Sequence, residues 1–196
     1  MASYRAVNAV VSALEAYLKT RLPDALSAGT VNANVRVLGS KDVSKPLNGT
    51  FLGIYLHRVM LDANGRNRYL QSATAGAAPQ PELPVNLHLL LVACASSASV
   101  EQDLMAWAMQ ELASAVTLDV SHVGANDPRW SEVESVQVQA EEMSTEDLFR
   151  IWDVFEAKYT LCVPYVIKTV RLLPDPLVEP EPPVKTRILA VGEANE

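Results

Sequence analysis

Three histidines, two cysteines and a run of carboxylates are the residues of this sequence with chemistry to offer. His57, His88 and His122 lie far apart in the chain. A histidine works as a general acid or base only when a carboxylate or nucleophile is held within hydrogen-bond reach. His57 and His88 fall inside apolar, strand-like stretches, and no acid or nucleophile stands at a motif spacing from either. The residues therefore favour packing over proton transfer. A small enzyme using His57 or His88 with an acidic residue elsewhere in the chain is the remote alternative. Cys94 and Cys162 also sit in apolar runs and are expected as buried thiols that behave as small hydrophobes. Glu132, Glu134, Glu141, Glu142, Glu146 and Asp147 make an acidic stretch, either a solvated face or a docking surface for a basic partner. Arg58, Arg66 and Arg68 surround a predicted turn. They are candidate subunit-interface residues, suited to an acidic neighbouring subunit. Asn48-Gly49-Thr50 matches a glycosylation acceptor and is read as a turn.

No GxGxxG, GxxxxGK[ST], HExxH, GxSxG or CxxC occurs. No catalytic residue, cofactor or metal ligand is therefore expected. Two cysteines make neither a disulfide framework nor a zinc site. The chain has 196 residues and a net charge of −7, with no cluster of Lys and Arg. That balance argues against nucleic acid as a partner, because phosphate recognition needs a basic footprint. The charged N-terminal stretch, with Arg5, Glu15, Lys19 and Arg21, does not read as a signal peptide. The longest apolar run, Leu87 to Ala95, is far short of the roughly 20 residues that cross a bilayer. A soluble protein made in the cytoplasm, without membrane insertion, is the expectation.

The elements that would position these residues follow from periodicity. Tyr4, Val7, Val10, Val11, Leu14 and Leu18 recur at helical spacing, with Ser3 as the cap and Pro23 as the stop. Val31, Ala33, Val35 and Val37 alternate as a strand. Thr50 to Leu61 predicts a long strand, and Ser72 to Pro84 a loop. Val85 to Ala95 is apolar on both parities, as a strand covered on both faces would be. Ser99 and Gln102 predict a capping box for a second helix, with Val100, Leu104, Trp107, Ala108 and Leu112 inward. Val136, Val138 and Ala140 alternate as a strand. Ser144 and Asp147 cap a third helix that turns Leu148, Ile151, Trp152 and Phe155 inward. Lys158 to Leu172 is the last strand, where Pro164 predicts an edge position or a bulge. The fold class is α+β: a mainly antiparallel or mixed sheet with about three helices packed on it.

The composition changes after Leu173. Six of the twelve prolines fall between Pro164 and Pro183. The chain is read as a core domain, residues 1–173, and a proline-rich extended arm, residues 174–196. The arm ends in a short apolar strand, Val184 to Val191, that can add to the sheet edge of another molecule.

The segments together have a recognisable order. Tyr4-Arg-Ala-Val-Asn8 is followed by Ile54-Tyr-Leu-His-Arg-Val59, Arg66-Asn-Arg68 and Pro84-Val-Asn-Leu-His-Leu-Leu-Leu91. Then come Glu101-Gln-Asp-Leu-Met-Ala-Trp107, Ser144-Thr-Glu-Asp-Leu-Phe-Arg-Ile-Trp152 and Tyr159-Thr-Leu-Cys-Val-Pro-Tyr-Val166. This series, from Tyr4 to Leu172, resembles the cap or tail-terminator proteins of extracellular contractile injection systems, phage-tail-like particles of the antifeeding-prophage and virulence-cassette type. The resemblance implies a hexameric ring at the distal end of the particle, on the last inner-tube and sheath rings, ending their polymerisation. Its implied partners are copies of itself, the sheath protein and the inner-tube protein. The arm lies outside the resemblance. On its own residues it is a sheath-binding candidate, through Val184, Arg187, Ile188, Leu189 and Val191. An assembly adaptor or chaperone for a tube or spike component is the alternative.

Overall fold

The computed structural model describes residues 3–62, 83–114, 117–118, 130 and 136–172. The first helix, α1 (Ala6–Arg21), buries Ala9, Val10, Leu14 and Leu18 along one stripe, as the spacing requires. The cap position is Arg5, not the expected Ser3, and it has no side-chain cap; Ser3 lies two residues earlier, where its hydroxyl accepts the Arg5 N–H at 3.1 Å and its carbonyl the Ala6 N–H at 3.0 Å. Tyr4 was expected on the inward stripe and is instead exposed, because it precedes the first helical turn. Pro23 ends the run, and its carbonyl accepts the N–H groups of Leu26 and Ser27 in a single-turn helix, α2 (Asp24–Ser27). Asn32, at φ 45°, breaks the expected strand. The first strand, β1 (Asn34–Leu38), therefore starts three residues after Val31.

The second strand, β2 (Phe51–Leu61), runs parallel to β1. A parallel pair needs a crossover of about a dozen residues. Residues 39–50 supply it, with the short helix α3 (Ser40–Val43) inside. Gly53 faces Leu38 across this pair, and a Cβ there would stand 2.5 Å from the Leu38 Cδ1. The side chain that glycine lacks is what lets Leu38 and Phe51 fill that face.

The third strand, β3 (Leu83–Cys94), is antiparallel to β2 and lies in mid-sheet. Pro84, expected in a loop, is inside this strand. The next helix, α4 (Ala98–Ser114), begins before Ser99, so the Ser99 box does not form: Glu101 N–H bonds the Ser97 carbonyl. Strands β4 (Thr117–Leu118), β5 (Val136–Ala140) and β6 (Cys162–Leu172) follow, with α5 (Thr145–Asp153) between β5 and β6. The sheet order is β1-β2-β3-β6-β5-β4, and every neighbouring pair but β1–β2 is antiparallel. The mixed α+β sheet expected from the sequence is thus the observed fold. Two single-turn helices and the two-residue β4 were not foreseen.

Two layers cover this sheet. On one face Leu87, Leu89, Leu91 and Ala93 of β3 and Ile167 of β6 meet α1 and α4. On the other, Leu90 and Val92 meet Trp152 of α5, with Ala157 and Cys162. This double cover explains the apolar double parity of β3. Pro164 lies on an interior strand, not at an edge. It comes just past the last β5–β6 pair, where its carbonyl accepts the Glu141 N–H at 3.0 Å. Its missing N–H faces the same side, at the point where the β5–β6 ladder ends.

Candidate functional site

The polar centre of the molecule is built by an irregularity in β2. Leu56 pairs with Leu89 and Arg58 with His88, so His57 is the extra residue of a β-bulge. The bulge sets His57 and Arg58 beside His88, on the face that α5 covers. Glu141, the first residue after β5, completes the cluster. His88 Nδ1 lies 2.8 Å from both Glu141 carboxylate oxygens, and the Arg58 Nη2 is 3.6 Å from Oε1. The His57 and His88 rings are 6.2 Å apart, edge to face. The carboxylate that spacing left unplaced for His88 is therefore Glu141, fifty-three positions along the chain.

Next to this cluster is a groove of about 540 Å³ between β2 and α5. Tyr55, His57 and Arg58 line its sheet side; Asp147, Ile151 and Val154 line its helix side. The Ser144 hydroxyl at its rim is engaged as the α5 cap. It accepts the Asp147 N–H at 3.1 Å and donates to the Asp147 carboxylate at 2.7 Å, as the sequence predicted. Neither histidine ring is hydrogen-bonded to a hydroxyl or thiol among the described residues, and the buried His57 Nε2 has no partner there. The arrangement is a clamp: one carboxylate ties the β5–α5 connection to β2 and β3.

Burial, reinforced by the Arg58 charge, lowers the His57 pKa from 6.5 to about 4; His88 acts in the same direction and Glu141 against it. Between these values the unfolded chain binds a proton that the folded chain refuses. Folding stability should thus fall as pH drops from about 6.5 towards about 4, and level off below. His57→Gln should flatten that part of a urea-unfolding pH profile. An unchanged slope would place the titration elsewhere. Glu141→Ala should cost about 2 kcal/mol, the usual scale for a hydrogen bond to a charged group, because His88 and Arg58 both lose their acceptor. A loss below about 0.5 kcal/mol in urea unfolding would mean that the clamp holds nothing.

Of the interface candidates, Arg58 is at the base of the β2–β3 hairpin, half-exposed and paired with Glu141. Arg66 and Arg68 lie outside the described residues, as do Val184, Arg187, Ile188, Leu189 and Val191 of the arm, Glu132 and Glu134 of the acidic stretch, and His122. Cys94 and Cys162 are free and buried, and burial raises both thiol pKa values, as two inert thiols require. Spacing did not point to two further features. Val59, Met60, Leu61 and Leu83 are exposed where β2 and β3 extend past the core, and Phe149, Val154 and Tyr159 are exposed on and after α5. No helix among the described residues is long and apolar enough to cross a membrane.

This fold, a six-stranded mixed sheet with helices on both faces, is similar to that of one solved terminator of a contractile injection system. The sheath/tube terminator of PVC, an extracellular contractile injection system, in its extended state superposes with a TM-score of 0.59 at 15% identity. That match covers 97% of this chain and 63% of the terminator, so the chain spans under two thirds of that protein's length. The tube-terminating cap of the anti-feeding prophage gives a TM-score of 0.49 at 15% identity, covering 94% of this chain and 60% of the cap. No curated protein sequence matches the chain. The defining sequence pattern of the Pvc16 N-terminal domain matches residues 9–186, and the chain belongs to that family. The match runs past Leu172, where the resemblance was expected to stop, and takes in the first part of the proline-rich segment.

Proposed function

We propose that this chain is a cap protein of a contractile phage-tail-like injection particle. In this reading it forms a hexameric ring on the last inner-tube and sheath rings and ends their polymerisation. The observation that carries the reading is the match to the Pvc16 N-terminal domain over residues 9–186, supported by the terminator-like fold. A ring of identical head-to-tail contacts closes when the rotation per subunit is right, and its outer face then offers the next tube or sheath subunit no site. The core, residues 1–173, makes the ring; the arm, residues 174–196, docks on the sheath. There Val184 to Val191 add a strand to an open sheath edge, and Ile188, Leu189 and Val191 fill its side-chain pockets. The protein is made in the cytoplasm and ends at the distal tip of the particle, as a structural component rather than an enzyme. The His88–Glu141 pair supports this, since it clamps two strands and α5 together without reaching a nucleophile among the described residues.

Electron microscopy of particles carrying a labelled copy tests the reading. Label at one end only is expected. Label spread along the particle, or missing from mature particles, would sink the cap and favour a transient assembly adaptor.

A further inference from the structure

The start of α1 and the β2–α5 groove lie on opposite faces of the sheet, α1 over the first core cluster and the groove on the side that α5 covers. A head-to-tail contact needs two such unlike surfaces on one chain. At the first of them stands Tyr4. It is 74% exposed, the most exposed aromatic side chain among the described residues. It is nonetheless held in place. Ser3 accepts the N–H groups of Arg5 and Ala6, the Arg5 Nε donates to the Tyr4 hydroxyl at 3.2 Å, and the guanidinium carbon is 5.6 Å from the ring centroid. That hydroxyl is an acceptor there, so its own proton can be donated elsewhere. The first turn of α1 has no acidic residue, so nothing in that turn offsets the positive end of the helix. The chain has no carboxylate side chain before Glu15, and that one pairs with Lys19 at 2.7 Å.

The groove is the complement of that end. Its volume of about 540 Å³ admits an aromatic ring, and Tyr55, Ile151, Val154 and Phe155 make its lining apolar. Both arginines of the lining already have a carboxylate: Arg58 is 3.6 Å from Glu141, and Arg150 is 2.6 Å from Glu146. Glu142 and Asp147, also in the lining, have no cation within ion-pair distance among the described residues. One surface is thus a projecting aromatic ring at a positive helix end, and the other is an apolar groove with two carboxylates to spare. Tyr4 cannot reach the groove of its own chain, because the sheet stands between them. An aromatic side chain seated in a partner's pocket is the commonest kind of contact to dominate an interface. The opposed charges would set its register and disfavour groove against groove.

We infer that Tyr4 of one copy enters the β2–α5 groove of the next, with the start of its α1 over Glu142 and Asp147, and that this contact repeats around the ring. The inference rests on the ring reading above and names its surfaces. It gives the groove an occupant, and it accounts for an aromatic side chain that is fixed in place yet covered by nothing in its own chain.

Photo-cross-linking tests it. The full chain carries photoreactive benzoylphenylalanine in place of Tyr4, which keeps an aromatic ring at that position. Ordinary and isotope-labelled copies are mixed with sheath and tube and irradiated. Cross-links that join residue 4 of one copy to residues 141–155 of another are expected. Cross-links between the residue 4 positions of two copies would reveal a like-with-like contact and overturn the inference. As a second arm, Tyr4→Ala and, separately, Val154→Lys should each raise the protein concentration needed for the ring, read by native mass, by about tenfold or more. Both side chains are largely exposed, so the urea midpoint of each variant should match that of the unmodified chain, which separates a lost contact from a folding defect. If both variants form the ring at the unmodified concentration, this contact is wrong and the ring reading stands. If the unmodified protein, with sheath and tube present, shows only monomers by native mass, the ring reading itself fails and takes this contact with it.

Discussion

Replacing Trp152 with alanine should lower the unfolding free energy by about 3–5 kcal/mol, the range for deleting a buried aromatic side chain. Trp152 is the one buried residue of α5, a helix of nine residues. It touches Phe155 and Tyr159 with centroids 5.4 and 5.6 Å away, and its indole N–H points at the Cys162 sulfur at 3.2 Å. Beneath it are Leu90 and Val92 of the central strand. Such a short helix is marginal by itself, so its place on the sheet depends on this anchor. Urea unfolding measures the loss. The rate at which Cys162 reacts with a thiol reagent reports whether α5 has lifted, since its burial is what keeps that thiol protonated. Trp152→Phe should cost less, because it keeps most of the apolar area. A loss below about 1 kcal/mol for the alanine variant would mean that the second layer adds little to the core.

Ending the chain after Leu173 should leave folding intact and abolish retention of sheath. Among the described residues the last strand ends at Leu172, and the described core clusters are drawn from residues up to it. The urea midpoint of residues 1–173 should therefore match that of the full chain, while sheath no longer co-sediments with it. The double variant Ile188→Asp and Leu189→Asp should reproduce the second effect with every residue still present. If particles built with the shortened chain keep extended sheaths, the arm is not the sheath contact. If the shortened chain loses its cooperative transition, the core reaches past residue 173, towards residue 186 where the family match ends.

Much of the fold was legible because it depends on local period. The α1 stripe, the double-parity β3 and the Ser144–Asp147 cap all follow from residues a few positions apart. The errors came where context overrides local preference. Pro164 reads as an edge or bulge residue, yet its strand is interior, flanked by β3 and β5, and the proline falls where β5 has stopped one residue short of it. Val37 reads as buried by alternation, yet it is exposed, while Val35 two residues earlier on the same strand is fully buried. Neither fact is present in the local sequence, since each depends on which other elements lie against the strand.

The candidate site divides in the same way. The sequence by itself determined the family order of segments, the absence of a catalytic motif, the arginines after β2 and the acidic stretch. These are matters of residue type and neighbouring position. Only the tertiary structure decided that Glu141 belongs to His88, that a bulge turns His57 and Arg58 to the same cluster, and that two apolar surfaces remain uncovered. A carboxylate and an imidazole fifty-three residues apart meet only because β5 and β3 flank the same strand, β6. An apolar side chain stays uncovered only when no other element of the fold reaches it. Pairing and coverage are long-range properties, set when the sheet order closes.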